Sequence, residues 1–216
     1  MKRNEKFVIA INRELGSGGR TVGRKLAERL HVEFYDKALI KTLEERYSLS
    51  VEEIEKLKGR SHNWLAELKR SLFASEGMAV TSNYILAVPG DKPVQPTTYD
   101  MFEAEQEILK NIAAEESCVI AGRSGFYVFR DHPNHLSILI QARLDQRINR
   151  LVEKRGISPQ EAAKIIKEVD KGRESYVNKY TGTSRYDTRN YDIVFNVGNH
   201  TEDEIVDLIM QYIQNP

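Results

Sequence analysis

The 216-residue chain has one cysteine, no excess of either charge and no long apolar run. Each absence removes a class of protein. A lone Cys118 cannot close an intrachain disulfide, so the fold is not a disulfide scaffold, and a reducing compartment is expected. No stretch reaches the roughly 18 consecutive apolar residues of a transmembrane helix. The polar start Met1-Lys2-Arg3-Asn4-Glu5-Lys6 leads into the short apolar stretch Phe7 to Ile11, too short for a signal-peptide core. The expectation is a cytoplasmic chain with no membrane partner. Nucleic acid is not expected as a partner either, because 32 Lys and Arg balance 32 acids and no recognised nucleic-acid motif is present. With 40% hydrophobic residues the chain is not disordered by composition. At about 100–200 residues per domain, residues 1–216 fit a single domain.

The missing net charge conceals a pattern. Residues 1–60 carry 14 basic and 10 acidic side chains, and 61–120 carry 4 and 9. Residues 121–190 carry 14 and 8, whereas 191–216 have 5 acids and no Lys or Arg. Two basic blocks therefore alternate with two acidic ones, which allows a small, localised anionic ligand within a neutral molecule.

Continuous apolar runs at Phe7–Ile11, Cys118–Ala121, Leu136–Ile140 and Ile193–Val197, with a shorter one at Val32–Tyr35, read as buried parallel strands. Between them lie helical patterns. Val22, Leu26 and Leu30 share one face of a helix over Thr21–Leu30, and a further helix is predicted from about Asp100 to Glu115. Residues 37–88 read as helical, with Ser50 and Glu53 as a capping-box pair, and Pro89, Gly90, Pro93 and Pro96 mark a loop. Ser158-Pro159-Gln160-Glu161 starts a helix predicted to reach about Tyr176. Thr201 with Glu204 caps a last one over Glu202–Ile213. Strands alternating with helices imply an α/β fold with a parallel sheet.

Between the first strand and helix stands Glu14-Leu15-Gly16-Ser17-Gly18-Gly19-Arg20-Thr21. Glycines let backbone amides approach an anion, and the helix N-terminus adds positive potential. Set on the P-loop pattern GxxxxGK[ST], Gly19 and Thr21 fit, Arg20 stands for the lysine and Glu14 for the first glycine. Gly16, Ser17, Gly18, Gly19, Arg20 and Thr21 are thus the candidate nucleotide-binding residues, and the Thr21 hydroxyl is the candidate Mg²⁺ ligand.

The segments IAINRELGSGGRTVGRKLAERL, FYDKALI, CVIAGR, Ser158 to Tyr180 and YDIVFNV resemble, in order, the cytidylate kinase-like proteins of the nucleoside monophosphate kinase group. The resemblance implies a P-loop kinase fold: a five-stranded parallel sheet flanked by helices, a helical acceptor-binding insertion at 37–98 and a lid at 155–185. In a second register, set on the GxxGxGKGT loop of cytidylate kinases, Arg13 takes the first glycine and Gly19 the lysine. Thr21 keeps its place in both registers. Ala121 stands where those kinases have an acidic residue.

By the same resemblance Asp36, Lys37 and Arg123 are acceptor-binding residues, and Arg20, Arg147, Arg150, Asp170 and Arg173 are catalytic. Arg143, Arg147 and Arg150 also lie along one helical face by their spacing, and Asp170 and Arg173 pair on another. The five histidines, His31, His62, His132, His135 and His200, lack metal-ligand spacing. Tyr176, Tyr180 and Tyr186 are expected to pack against the core. The expected activity is transfer of the ATP γ-phosphoryl group to CMP or dCMP, with ATP and Mg²⁺ as cofactors and small nucleotides as partners. Two alternatives stay open: a P-loop kinase of another small acceptor, suggested by Lys37, and a nucleotide-binding regulator without transfer activity, suggested by the absent lysine and by Ala121. Oligomeric state is not legible.

Overall fold

A computed structural model describes residues 1–36 and 98–214. The helical reading of 37–88, the Ser50–Glu53 pair, the proline loop, Lys37 and nearly all of the expected insertion lie outside the described residues.

Five parallel strands form one sheet in the order β2-β3-β1-β4-β5: β1 (Val8–Arg13), β2 (Glu33–Tyr35), β3 (Cys118–Ala121), β4 (His135–Gln141) and β5 (Ile193–Asn196). The apolar runs account for the central three. Val8, Ile9, Ala10 and Ile11 of β1, all of β3 and Leu136 to Ile140 of β4 are buried, as strands covered on both faces must be. β1 runs past its apolar stretch to Arg13, because its ladder with β4 continues through Asn12↔Leu139 and Arg13↔Ile140. β5 is an edge strand with alternating exposure.

The helices among the described residues are α1 (Gly19–Leu30), α2 (Thr98–Glu115), the short α3 (Gly125–Val128), α4 (Leu144–Arg155), α5 (Pro159–Thr181) and α6 (Glu202–Gln214). α1 and α6 cover one sheet face through Val22, Leu26, Ile205, Val206 and Ile209. α2 and α3 cover the other through Ile108, Leu109, Ile112 and Val128. α4 and α5 pack mainly on each other, around Leu151, Ala162 and Ile166, with Leu15 of the glycine loop against them.

The predicted caps form. Ser158 Oγ accepts from the Glu161 amide at 3.2 Å, with Pro159 in the first turn. Thr201 and Glu204 bond reciprocally at 2.8 and 3.2 Å. α5 continues past Tyr176 to Thr181 and ends on Gly182 in the left-handed region, φ +67°. The extra turn carries Val177, which is buried. No helix among the described residues is long and apolar enough to cross a membrane.

Candidate active site

The glycine loop leaves β1 at its C-terminal end, where open α/β sheets bind ligands. Gly16 and Gly18 adopt φ of +85° and +82°. A Cβ at Gly16 would lie 2.8 Å from the Arg147 carbonyl oxygen, and one at Gly19 would lie 2.5 Å from Arg13 Cβ, so other residues cannot follow this path. Ser17 is buried and its hydroxyl donates to the Glu14 carbonyl at 3.0 Å. No side chain caps the start of α1, which leaves the amides of Gly19 and Arg20 open to an anion. Glu14, in the place of the first P-loop glycine, secures the loop: it accepts from the Ala142 amide at 3.2 Å and lies 3.3 Å from Arg147 Nη1.

Beside the loop opens a cavity of about 640 Å³, lined by Gly16, Gly18, Gly19, Arg20, Thr21 and Asp36 among others. Arg20 lines it with a side chain that is 67% exposed and pairs with Asp36 at 2.5 Å. Arg150 reaches over Gly18, where a Cβ would lie 2.5 Å from its Nη1, and pairs with Glu202 of α6. The Glu202 carboxyl lies below its usual range: burial raises it, but the bond from Arg150 and local amide donation outweigh that.

A second cavity, about 380 Å³, is lined by the end of β1, the β3–α3 turn and α5. Gly122, Arg123 and Ser124 all have positive φ, +86°, +55° and +54°. For the two non-glycine residues this costs roughly 1–3 kcal/mol each, a strain typical of functional turns. Arg123 pairs with Glu105 of α2, which is 2% exposed and also accepts from the Tyr176 hydroxyl at 2.8 Å. Tyr176 and Tyr180 pack on Phe102, with ring centroids 5.7 and 4.8 Å away.

Asp170 ties α5 to the loop. Its carboxylate accepts from the Leu15 amide at 3.1 Å, pairs with the buried Arg147, and faces Arg173 at 3.3 Å and Arg185 at 3.6 Å. Arg147 also donates to the Leu15 carbonyl at 2.8 Å. Arg147 and Asp170 are therefore buried braces of the glycine loop, whereas Arg173 lines both cavities.

Several site residues escaped the sequence reading. Glu14 entered only as a mismatch to the first P-loop glycine, and Glu105 as one acid among many on a helix. Arg185 lies just inside the expected lid, yet it is 1% exposed and holds Asn12 Oδ1 at 3.1 Å and the Arg13 carbonyl at 2.5 Å. Arg13 entered only as a register position. It lines both cavities, and burial, with Arg173 and Arg185 nearby, pushes its guanidinium down to about 9 against the opposing pull of Asp36. The signal available was a charged residue ending an apolar strand at the sheet's C-terminal edge.

Comparisons with known proteins bear on the family and the fold. A crystal structure of an uncharacterized protein from Eubacterium ventriosum is 27% identical, with a TM-score of 0.69, and the match covers 98% of this chain and 100% of that one. Shikimate kinase from Bacteroides thetaiotaomicron, at 16% identity and a TM-score of 0.50 over 96% and 98% of the two chains, shares the fold. A uronate isomerase from Corynebacterium glutamicum is 27% identical over 150 residues, which span 69% of this chain but 27% of that protein. Residues 8–199 match the cytidylate kinase-like family, and with a parallel sheet in P-loop kinase order and a glycine loop at its centre, the chain belongs to that family.

Proposed function

We propose that the protein is an ATP- and Mg²⁺-dependent kinase that transfers the γ-phosphoryl group to a nucleoside monophosphate, CMP or dCMP. One observation carries the reading: two cavities adjoin at the β1 terminus, one at the glycine loop and one at Gly122–Arg123, and share Arg13 and Arg173 in their walls. A donor and an acceptor placed in them would meet there. The family supports a small-molecule kinase, and the CMP or dCMP acceptor is the finer step.

Donor phosphates would lie on the amides of Gly18, Gly19 and Arg20. Mg²⁺ would be held by Thr21, with Asp36 on the same cavity wall, and would neutralise phosphate charge. A hydroxyl and one carboxylate suit an ion that keeps waters and takes its other ligands from phosphates. Among the described residues no cluster of three or more His, Cys, Asp or Glu offers a protein-only metal site, which such an ion does not need. Arg123 would meet the acceptor, Arg150 would cover the donor, and α5 within the 155–185 lid would bring Arg173 over the transferring group. Little covalent chemistry falls to the protein, whose contribution is positioning and charge.

A coupled ADP-release assay across the nucleoside monophosphates tests this. CMP or dCMP is expected to turn over fastest, with Thr21→Ala reducing the rate about 10²-fold. Turnover with a non-nucleotide acceptor instead would overturn the acceptor assignment. ATP binding without turnover on any acceptor would replace the kinase with a nucleotide-binding regulator.

A further inference from the structure

The P-loop pattern calls for a lysine at position 20, and the arginine there is turned onto Asp36. The transferring phosphoryl group therefore needs a cation from elsewhere. Of the arginines lining the two cavities, Arg20, Arg123, Arg150, Arg173 and Arg185 each face a carboxylate: Asp36, Glu105, Glu202 and, for the last two, Asp170, while Arg155, like its neighbour Lys154, is exposed in the last turn of α4 and lines only the glycine-loop cavity. Arg13 differs. Among the described residues no carboxylate lies within ion-pair distance of it, it is half-buried, and it lines both cavities.

Its placement is built. Gly19 packs on its stem, where a Cβ would lie 2.5 Å from Arg13 Cβ, and Gly122 lies under its head, where a Cβ would lie 2.0 Å from Nη1. Two glycines on separate elements thus open the path that carries the guanidinium from β1 to the boundary of both cavities. Partly desolvating a cation that has no ion pair is a cost with nothing in the fold to offset it. An anion arriving between the cavities would supply the missing partner.

We propose that Arg13 is the catalytic cation of this site, holding the transferring phosphoryl group in the role that the P-loop pattern gives to a loop lysine. The proposal rests on the kinase reading above. An acceptor phosphate oxygen donates an electron pair to the γ-phosphorus while the bond from that phosphorus to the β,γ-bridging oxygen breaks, and that bonding pair leaves with ADP. Arg13 stays protonated throughout and donates hydrogen bonds to the equatorial oxygens, where charge is spread in the transition state.

The test compares wild type, Arg13→Met and Arg13→Lys by turnover and by calorimetric binding of inorganic tripolyphosphate, a probe that needs no acceptor. Arg13→Met is expected to lower kcat about 10²–10³-fold, with a smaller change in the KM for ATP, while remaining folded. Added guanidinium should restore part of the rate to Arg13→Met, and Arg13→Lys should keep an intermediate rate. Tripolyphosphate binding should weaken at least about tenfold in Arg13→Met. A kcat within threefold of wild type, or equal tripolyphosphate affinity, overturns the role of Arg13. If wild type turns over no acceptor, the kinase reading fails, and the tripolyphosphate comparison still decides whether Arg13 is an anion-binding residue.

Discussion

Arg147, buried, and Arg13, half-buried, are both arginines packed against the glycine loop, the first at Gly16 and the second at Gly19, yet they differ in almost every contact. Arg147 is fixed by Glu14 at 3.3 Å, by the Leu15 carbonyl at 2.8 Å and by Asp170. Arg13 has Arg173, Arg185 and Arg20 for repelling neighbours, with Asp36 opposing them. A buried cation whose donors are all used is a brace, and its removal is felt as lost stability. One left with free donors is held ready for a ligand, and its removal is felt as lost function. Three changes beside the glycine loop, then one on the surface, would break or sharpen this contrast.

Asp170→Ala is expected to have the largest effect. It takes the carboxylate from Arg173 and Arg185, leaves Arg147 with Glu14 alone, and frees the Leu15 amide. Breaking a buried ion pair by removing one partner typically costs about 3–5 kcal/mol. Urea denaturation should show a loss of this size. A loss under about 1 kcal/mol would mean that the carboxylate is not the keystone of the connection between α5 and the glycine loop.

Arg147→Met should cost somewhat less, about 3 kcal/mol, because Asp170 keeps Arg173 and Arg185 while Glu14 keeps the Ala142 amide. Its turnover should fall through disorder of the loop, visible as faster amide exchange at Leu15 and Gly16. Unchanged exchange together with lost turnover would move Arg147 from brace to substrate contact.

Arg13→Met should run the other way in stability, raising Tm by roughly 2–4 °C, the shift that about 1 kcal/mol gives a chain of this size. The sign with pH follows from the depressed guanidinium. Its folded-state value of about 9 lies well below the ordinary guanidinium range, so the unfolded chain binds more protons above pH 9. Wild-type stability therefore gains from Arg13 as pH rises above 9, and the advantage of Arg13→Met, full at neutral pH, should narrow there. A lower Tm for Arg13→Met at pH 7 would show that the guanidinium stabilises the fold after all.

The fold was far more legible than this contrast. Cys118–Ala121 read correctly to the residue, because a strand buried on both faces leaves an uninterrupted apolar run. The end of β1 did not, since Asn12 and Arg13 are polar and only backbone pairing with Leu139 and Ile140 keeps them in the sheet. The glycine loop was legible through its spacing. The state of each arginine was not, because whether a guanidinium is paired depends on carboxylates far along the chain. Arg147 meets Asp170 and Arg123 meets Glu105 only after folding, and the empty surroundings of Arg13 are a property of three dimensions alone. Arg20 shows the hazard: the pattern aligned it with the lysine, but Asp36, at the end of β2, holds it at 2.5 Å.

The smallest expected effect supplies the control. Arg29 in the last turn of α1 pairs with Asp207 of α6 at 2.7 Å, with side chains 52% and 54% exposed. Its geometry matches or betters that of the Arg147–Glu14 pair, but water solvates both partners in either state, so the pair itself is worth about 0–1 kcal/mol. Its place at a helix C-terminus adds a favourable term of similar size against the macrodipole. Arg29→Ala should therefore lower stability by no more than about 1 kcal/mol, and most of that loss should vanish in 0.5 M salt, where the screening length falls to roughly 4–5 Å. Arg147→Met should keep nearly its full cost in the same salt, because its partners lie where ions do not reach. If both costs fell together on adding salt, the distinction between braced and exposed arginines would rest on charge alone rather than on burial.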